Sequence, residues 1–439
     1  MENRLAVAVS VLAPPRLMVA RARTLSQFVS VQVAVQLMAA ASGILLVRAL
    51  SKPEYAYFTI ANSMQATMGI LADSGIGIGL SSIGGKVWQD RHRFGELINT
   101  ALRLRRYLAV IAATAVGPIL VWLLISNGAS TFYAATITIA VLLALNYQLL
   151  AGVLIVVPRL HSQISRVQTL DAIVAGSRLL LIAAAYLVFL NAAVALFAGV
   201  VGIIGQCIFL RHWTTDNIEP HAPINREDRA TMLGIIKHQA PNAAFYCVQG
   251  QLTVWLISVF GNTQSIAEVG ALGRLSIIFS IINSVMVSII LPAFARYQSP
   301  KVIRRRYFQV IGGFVLLGLA LISATALFPG QLLWILGAKY MHLGKELLLM
   351  MVLSSASGLI AAMWSLNSTR AWIRYSWLNI PGVILMQITL LLIIDVSTVK
   401  GVIVFGLLSL IPTLLLNAFL TLSGFANLNR DLALFNESK

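Results

Sequence analysis

The chain has 439 residues, with 32 Lys and Arg against 15 Asp and Glu, so its formal net charge is +17. Hydrophobic residues make up 58% of it, charged residues only 11%, and the mean hydropathy is +0.85. This composition excludes a single soluble core and requires a bilayer as solvent. The positive charge, which in a soluble protein would suggest nucleic acid, is then mainly a topology signal, and no nucleic-acid partner is expected.

Twelve apolar spans account for the whole chain, because a bilayer-crossing helix needs about 20 residues. The sequence therefore predicts an all-α polytopic membrane protein with no soluble domain. The predicted spans are 26–48, 55–82, 107–126, 132–157, 169–190, 192–210, 239–260, 267–295, 307–328, 346–367, 376–394 and 400–424.

Lys and Arg are distributed unevenly between alternate connections, 25 in one set and 5 in the other. Cationic loops stay in the cytoplasm during insertion, so both termini are predicted to be cytoplasmic. Basic clusters such as Arg103, Arg105 and Arg106 are interpreted as orientation anchors, which also touch lipid headgroups. The predicted division is a tail at 1–25, a six-helix lobe at 26–210, a cytoplasmic linker at 211–238, a second six-helix lobe at 239–424 and a tail at 425–439.

A faint internal repeat supports the two lobes. In each copy an apolar span leads to a polar turn with a lone glutamate, Glu54 or Glu268, and a second span then ends at Lys86 or Arg296. Duplicated halves are how many transporters build two lobes around a central path.

Two charged residues lie in the fifth predicted span. Arg178 is placed near the bilayer midplane, and Asp171 is seven residues earlier, on nearly the same helix face. An ion in hydrocarbon costs at least about 2.5–3.5 kcal/mol and usually faces a watery cavity. Arg178 is thus a candidate cavity-lining cation, with a structural Asp171–Arg178 pair as the alternative.

Three more charges qualify as candidates. Arg274 is expected roughly 10 Å from the outer end of its span, close enough for snorkelling as an alternative to a cavity position. Arg48 ends the first span and is interpreted as an interface anchor or a binding residue. Asp73 lies in a glycine-rich helix, where it can pair with an arginine, bind a proton or cation, or belong to a gate.

Metal and redox chemistry find no support in the sequence. Cys207 and Cys247 are isolated in apolar helices without neighbouring His ligands, and the six histidines lie in or near loops. No metal, cofactor or catalytic residue is predicted.

Two sequence runs carry a family resemblance. The segments 43–57, GILLVRALSKPEYAY, and 71–79, LADSGIGIG, resemble the opening hairpin of polysaccharide flippases of the Wzx type. In the second half AEVG at 267–270, GRL at 273–275 and LP at 291–292 are similar to the same pattern. These flippases belong to the multidrug/oligosaccharidyl-lipid/polysaccharide export superfamily, abbreviated MOP. Ala56 and Ser74 depart from its usual residues, which leaves the subfamily open.

The resemblance implies a flippase, not an enzyme, in the bacterial cytoplasmic (inner) membrane. Its substrate would be an undecaprenyl-pyrophosphate-linked oligosaccharide for O-antigen, capsule or exopolysaccharide synthesis. A polysaccharide polymerase and chain-length machinery are the implied protein partners. Arg178, Arg274 and Arg48 would bind the anionic substrate, and Asp73 and Asp171 would couple an ion or gate the path.

Other functional classes are left open by the sequence. A drug or cation antiporter of the same superfamily would share the topology, but cationic drugs favour an acidic cavity. Gly69 to Asp73 imitates a loop signature of major facilitator transporters, although the apolar span continues beyond it. A membrane enzyme would need large catalytic loops, whereas the longest predicted outer connection runs only from about 329 to 345.

Overall fold

A computed structural model describes residues 15–161, 163–297 and 299–437, and describes side chains within them except at 15–29, 164, 288 and 427–437. The described residues form helices and connections, with no strand. The helices are α1 Pro15–Ala49, α2 Lys52–Asp73, α3 Ile76–Val87, α4 Arg91–Ser126, α5 Thr131–Leu154, α6 Val156–Leu160, α7 Ile164–Val188, α8 Ala192–Thr214, α9 Arg226–Phe260, α10 Thr263–Arg274, α11 Ile277–Val285, α12 Leu291–Arg296, α13 Pro300–Leu327, α14 Pro329–Leu336, α15 Gly344–Thr369, α16 Asn379–Ile393, α17 Val399–Leu408 and α18 Ile411–Glu437.

The helices confirm the predicted all-α membrane architecture. Among the described residues, eleven helical segments are long and apolar enough to cross a bilayer, and the bent pair α2 and α3 brings the number to twelve. Polar side chains cap the helices where the predicted outer turns end. Ser51 caps α2 and Asn262 caps α10, each accepting a hydrogen bond from a backbone N–H three residues on.

The second span, predicted as one helix at 55–82, is broken. Its two halves, α2 and α3, meet at an angle of 44°. Ser74 and Gly75 at the break have φ of 26° and 96°. Gly75 adopts the left-handed conformation at little cost because it lacks a Cβ, and this allows the chain to bend directly after Asp73.

Alternate connections lie on opposite faces of the helical bundle. The hairpin face carries the turns before α2, α5, α8, α10 and α17 together with the segment 328–343. The linker face carries the segment 215–225 between α8 and α9 and the other alternate connections. Arg48, Lys52, Lys339, Lys345 and Lys400, the five cations of the sparse set, belong to the hairpin face.

Three hydrophobic cores show how the two lobes meet. The largest contains residues of both lobes, such as Tyr55 and Phe58 with Leu272 and Phe405, and lies towards the hairpin face. Towards the linker face the core divides. One part, around Phe94, fills the first lobe, and another, around Tyr307, fills the second. The lobes are therefore joined at the hairpin face and separate towards the linker face.

Helix α9 connects the lobes. It begins at Arg226, within the predicted linker 211–238, and its first turns pack on the first lobe through Met232 and Ile236. Arg93 of α4 donates hydrogen bonds of 2.5 and 2.7 Å to both oxygens of Asp228. Of the predicted tails, residues 1–14 and 438–439 lie outside the described residues, while 15–25 and 425–437 are helical. The division into domains stays a prediction.

Candidate functional site: a cationic cavity between the lobes

Arg274 lies deeper in the bundle than its predicted position. Helix α10 begins at Thr263, so Arg274 is eleven residues, or about 17 Å, from the hairpin face. Its Nε donates a hydrogen bond of 3.0 Å to the hydroxyl of Tyr55, and its guanidinium lies 5.8 Å from the ring centroid of Phe58. Both partners are uncharged and belong to the other lobe.

Gly43 of α1 makes room for this arginine. A Cβ at Gly43 would lie 3.3 Å from Cδ and 3.4 Å from Nη1 of Arg274. A larger side chain at this position would push the guanidinium away. Gly43 also opens the run that resembles the flippases, so one residue of that pattern has a direct contact with the candidate site.

Arg178 lies at a similar depth on α7, ten residues or about 15 Å from the hairpin face. It is largely buried, and the charge of Arg274 is near enough to repel its own. The Nε of Arg178 is buried without a hydrogen-bond partner among the described residues. The two guanidinium groups are near enough for their charges to repel, and within the described part of the chain neither has a carboxylate partner.

Arg274 lines a cavity of about 540 Å³ between the lobes. Its other polar lining residues are uncharged: Tyr55, Thr59, Asn62, Ser63, Gln251 and Thr253. A second cavity of about 730 Å³ follows towards the linker face, and Ala66 lines both. The pair of cavities forms a path that runs from the arginine cluster towards the linker face, where the cores of the two lobes are separate.

Asp73 forms an ion pair with Arg105 at the second cavity. The Arg105 side chain is 9% exposed and the Asp73 side chain 43%, and Arg105 also donates to the carbonyl of Leu149. The interpretation of Arg105 as an orientation anchor was wrong. Helix α4 begins at Arg91, so Arg105 lies inside it. Ala101, Leu104 and Leu108 are apolar residues at helical spacing, and this periodicity indicates that the helix already includes Arg105.

Asp171 and Arg178 make no ion pair. Seven residues of helix separate their Cα atoms by about 10 Å, which leaves each side chain free to meet a different neighbour. Asp171 interacts electrostatically with the charge of Arg159, on α6. The structure therefore does not bring Asp171 to the arginine cluster.

Arg48 is exposed and lies at the hairpin face, where contacts between the two lobes close the bundle. Its guanidinium donates to the carbonyl of Trp334 at 3.0 Å and lies 4.8 Å from the centre of that indole. The structure does not place it with Arg178 and Arg274. Nearby, Lys339 donates to the carbonyls of Arg48 and Leu50. Burial, and then the charge of Lys52, lowers the pKa of Lys339.

Contacts across the lobes complete this closure. Lys52 donates to Glu268 at 2.7 Å, and His342 lies 3.0 Å from the same carboxylate oxygen. Asn127 of the first lobe donates to the carbonyl of Ser258 and accepts at its own carbonyl from Thr263 at 3.0 Å. The sequence had marked Glu268 as a turn residue but not its partner across the lobes.

Comparison with solved structures identifies the fold. An inward-facing multidrug resistance MATE family transporter of the MOP superfamily is similar over 92% of this chain and 99% of its own, with a TM-score of 0.67 and 15% identity. The fold is that of MATE transporters. An outward-facing MATE transporter covers 94% of this chain and 95% of its own, with a TM-score of 0.55 and 14% identity.

A MOP superfamily transporter from Pyrococcus furiosus has the same fold, with a TM-score of 0.57 and 14% identity over 92% of this chain and 94% of its own. It is described as having a binding pocket of reversed polarity that suggests a different function. No protein-family model and no curated protein matches the sequence. At these identities the similarity establishes the fold of a multi-pass membrane protein with two six-helix lobes.

Proposed function

We propose that this protein is a flippase that moves a lipid-pyrophosphate-linked oligosaccharide across the bacterial inner membrane by alternating access. The observation that carries the proposal is Arg274, which lines the cavity between the lobes and has Arg178 near it at a similar depth. Two half-buried guanidinium groups without a carboxylate partner in the described structure would suit an anion of high charge density. Arginine suits a pyrophosphate because its planar fork gives bidentate hydrogen bonds to phosphate oxygens.

An anion would also remove an electrostatic cost. Arg178 and Arg274 repel each other, and burial away from water strengthens that repulsion. A bound pyrophosphate would compensate both charges, so the repulsion between the two arginines favours an anion at this site. A cationic substrate would add to the repulsion.

The arrangement of the lobes suits alternating access. The contacts between Lys52 and Glu268 and between Asn127 and Thr263 close the hairpin face, while the cavities continue towards the linker face. The higher TM-score with the inward-facing MATE transporter, 0.67 against 0.55 for the outward-facing one, agrees with this state. With the basic linker face in the cytoplasm, the substrate would enter from the leaflet where it is made.

Rocking of the two lobes about the arginine cluster would then expose the site to the hairpin face. Outward movement of negative charge is favoured by an interior-negative potential, by about 2.3 kcal/mol per charge per 100 mV. The lipid chain would remain in the bilayer while the charged headgroup follows the cavity. A polysaccharide polymerase would act next on the exported oligosaccharide.

Drug export is the second candidate, since two of the similar structures are multidrug resistance transporters. It fits the cavity less well. The carboxylate of Asp73 at the second cavity is already paired with Arg105, and the nearest intramembrane charges to the centre are arginines. The facilitator-like run from Gly69 to Asp73 lies in helix α2 and not in a loop.

The proposal is tested in cells that lack the protein and carry Arg178→Ala or Arg274→Ala. Surface polysaccharide should fall and the lipid-linked oligosaccharide should accumulate on the cytoplasmic side. Arg103→Ala, on the exposed surface of α4, is the matched control and should behave as wild type. Normal polysaccharide from both correctly inserted variants would reject the proposal, and altered drug resistance instead would favour the antiporter.

A further inference from the structure

The second lobe contains a cavity of its own, with a volume of about 590 Å³. It lies between α9, α11, α15, α16 and the last two helices, α17 and α18. This volume falls in the range of about 300–1,000 Å³ that is usual for small-molecule sites. None of the described residues that line it is charged, although many carry a hydroxyl or an amide.

Two facing amides lie on one wall of this cavity. Gln249 of α9 and Gln387 of α16 donate to each other's side-chain oxygen at 3.0 and 2.6 Å. This pairing uses one N–H and one lone pair of each amide, so each keeps a second donor and a second acceptor site. A hydroxyl group is both a donor and an acceptor, so it can form hydrogen bonds with both of these remaining sites.

Further along, Asn379 accepts a hydrogen bond of 2.9 Å from Thr413 and donates to the hydroxyl of Tyr246 at 3.4 Å. Ser409 also lines the cavity and is 7% exposed. Its Oγ is buried and has no hydrogen-bond partner among the described residues. Leaving a buried hydroxyl unsatisfied costs about 1–3 kcal/mol, which a polar ligand recovers once the Ser409 side chain rotates its Oγ into the cavity.

This cavity adjoins the arginine cavity. Thr253 and Leu353 line both of them. A molecule with its anionic part at Arg274 can therefore extend an uncharged, hydroxyl-rich part into the second lobe. We infer that the cavity lined by Gln249, Gln387 and Ser409 binds the uncharged sugar residues of the lipid-linked oligosaccharide. This inference rests on the proposed flippase function.

Other occupants fit less well. A cationic drug would find no carboxylate among the described lining residues. A lipid chain would leave the second donor and acceptor sites of Gln249 and Gln387 against hydrocarbon without hydrogen bonds. Sugar hydroxyls satisfy these groups, and the aromatic residues Tyr246 and Phe279 offer apolar surface for the sugar ring faces.

The test uses the full-length protein in lipid nanodiscs and three probes. The first is the lipid-linked oligosaccharide extracted from source cells that lack this protein. The second is pure undecaprenyl pyrophosphate, and the third is the free oligosaccharide released from the extract by mild acid. The wild type should bind the intact lipid at least tenfold more tightly than undecaprenyl pyrophosphate, and the free oligosaccharide only weakly.

Two variants remove the polar groups while keeping the shape of the cavity. In Ser409→Ala, and in the double variant Gln249→Leu with Gln387→Leu, the preference for the intact lipid should fall to threefold or less. Affinity for undecaprenyl pyrophosphate should not change, which also shows that the variants are folded. Thr389→Val, an exposed position on the same helix as Gln387, is the control and should keep the tenfold preference.

The outcomes separate this inference from the proposed function. If the wild type binds the intact lipid and undecaprenyl pyrophosphate equally, the sugar site is rejected but the proposed flippase function is not. A tenfold preference that is retained in both variants would have the same meaning. If the free oligosaccharide binds as tightly as the intact lipid, the inference that the ligand is lipid-linked is rejected. Failure of the wild type to bind either lipid would overturn the proposed function and this inference with it.

Discussion

Lys52 and Glu268 form an ion pair of 2.7 Å that joins the opening turns of the two lobes. The two side chains are 19% and 11% exposed, so water screens the pair only in part. Glu54, the counterpart of Glu268 in the repeat, stays within its own lobe, where it accepts from Tyr133 at 2.5 Å and from the N–H of Ala192 at 2.7 Å. The repeat therefore uses one glutamate to build a lobe and the other to close the hairpin face.

Lys52→Gln should weaken this closure. Loss of a charged hydrogen bond costs about 1.5–3 kcal/mol, and His342 would recover part of it, so we expect the hairpin-open state to become about fivefold more populated. The measurement is the rate at which a membrane-impermeant maleimide, added at the hairpin face, labels Asn62→Cys in a background with Cys207 and Cys247 replaced. Asn62 lines the cavity beneath the closure.

The charge exchange Lys52→Glu with Glu268→Lys is the rescue for this experiment and should return the labelling rate towards wild type. Lys400→Gln, an exposed cation of the same face, is the matched control. Unchanged labelling in Lys52→Gln would show that the pair does not hold the lobes together.

Asp73→Asn should destabilise the protein through Arg105. Removing one partner of a buried ion pair costs about 3–5 kcal/mol, and the partial exposure of Asp73 reduces this to about 1–3 kcal/mol. The melting temperature in detergent should fall accordingly. The double variant Asp73→Asn with Arg105→Met should regain at least half of the loss, because no unpaired charge is left. A double variant no more stable than the single one would contradict a structural role for the pair.

Gly43→Leu should impair transport by displacing Arg274. The leucine side chain would occupy the space of the guanidinium, whose Nη1 lies 3.4 Å from a Cβ built at this glycine. We expect at least a tenfold decrease in export of the lipid-linked oligosaccharide at normal protein abundance. Gly199→Leu is the control, since a Cβ there meets no atom within 4 Å. Equal export by both variants would mean that Gly43 does not position Arg274.

Much of the membrane architecture could be predicted from the sequence because spans follow from apolar length alone. The spans at 132–157 and 346–367, for example, correspond to α5 with α6 and to α15. The break between α2 and α3 was not predicted. Glycines at 75, 77 and 79 marked a weak helix, but only the fold determines which of them adopts a positive φ, and here it is Gly75.

The site could be predicted only in part, because charge and depth are local properties whereas partners are not. Arg178 and Arg274 were predicted from their depth in the membrane, but their proximity depends on how α7 and α10 pack. The pairing of Arg105 with Asp73, and of Lys52 with Glu268, joins residues 32 and 216 positions apart. The sequence predicted Arg48 as a binding residue alongside Arg178 and Arg274. In the structure Arg48 instead contacts Trp334 at the hairpin face.

The most direct test of the cationic cavity is the rate at which the purified protein moves the extracted lipid-linked oligosaccharide across proteoliposome membranes. Each arginine contributes charged hydrogen bonds worth about 1.5–3 kcal/mol, so Arg178→Ala and Arg274→Ala should each slow transport about 10- to 100-fold, while Arg103→Ala should not. Transport by both alanine variants at the wild-type rate would contradict the account.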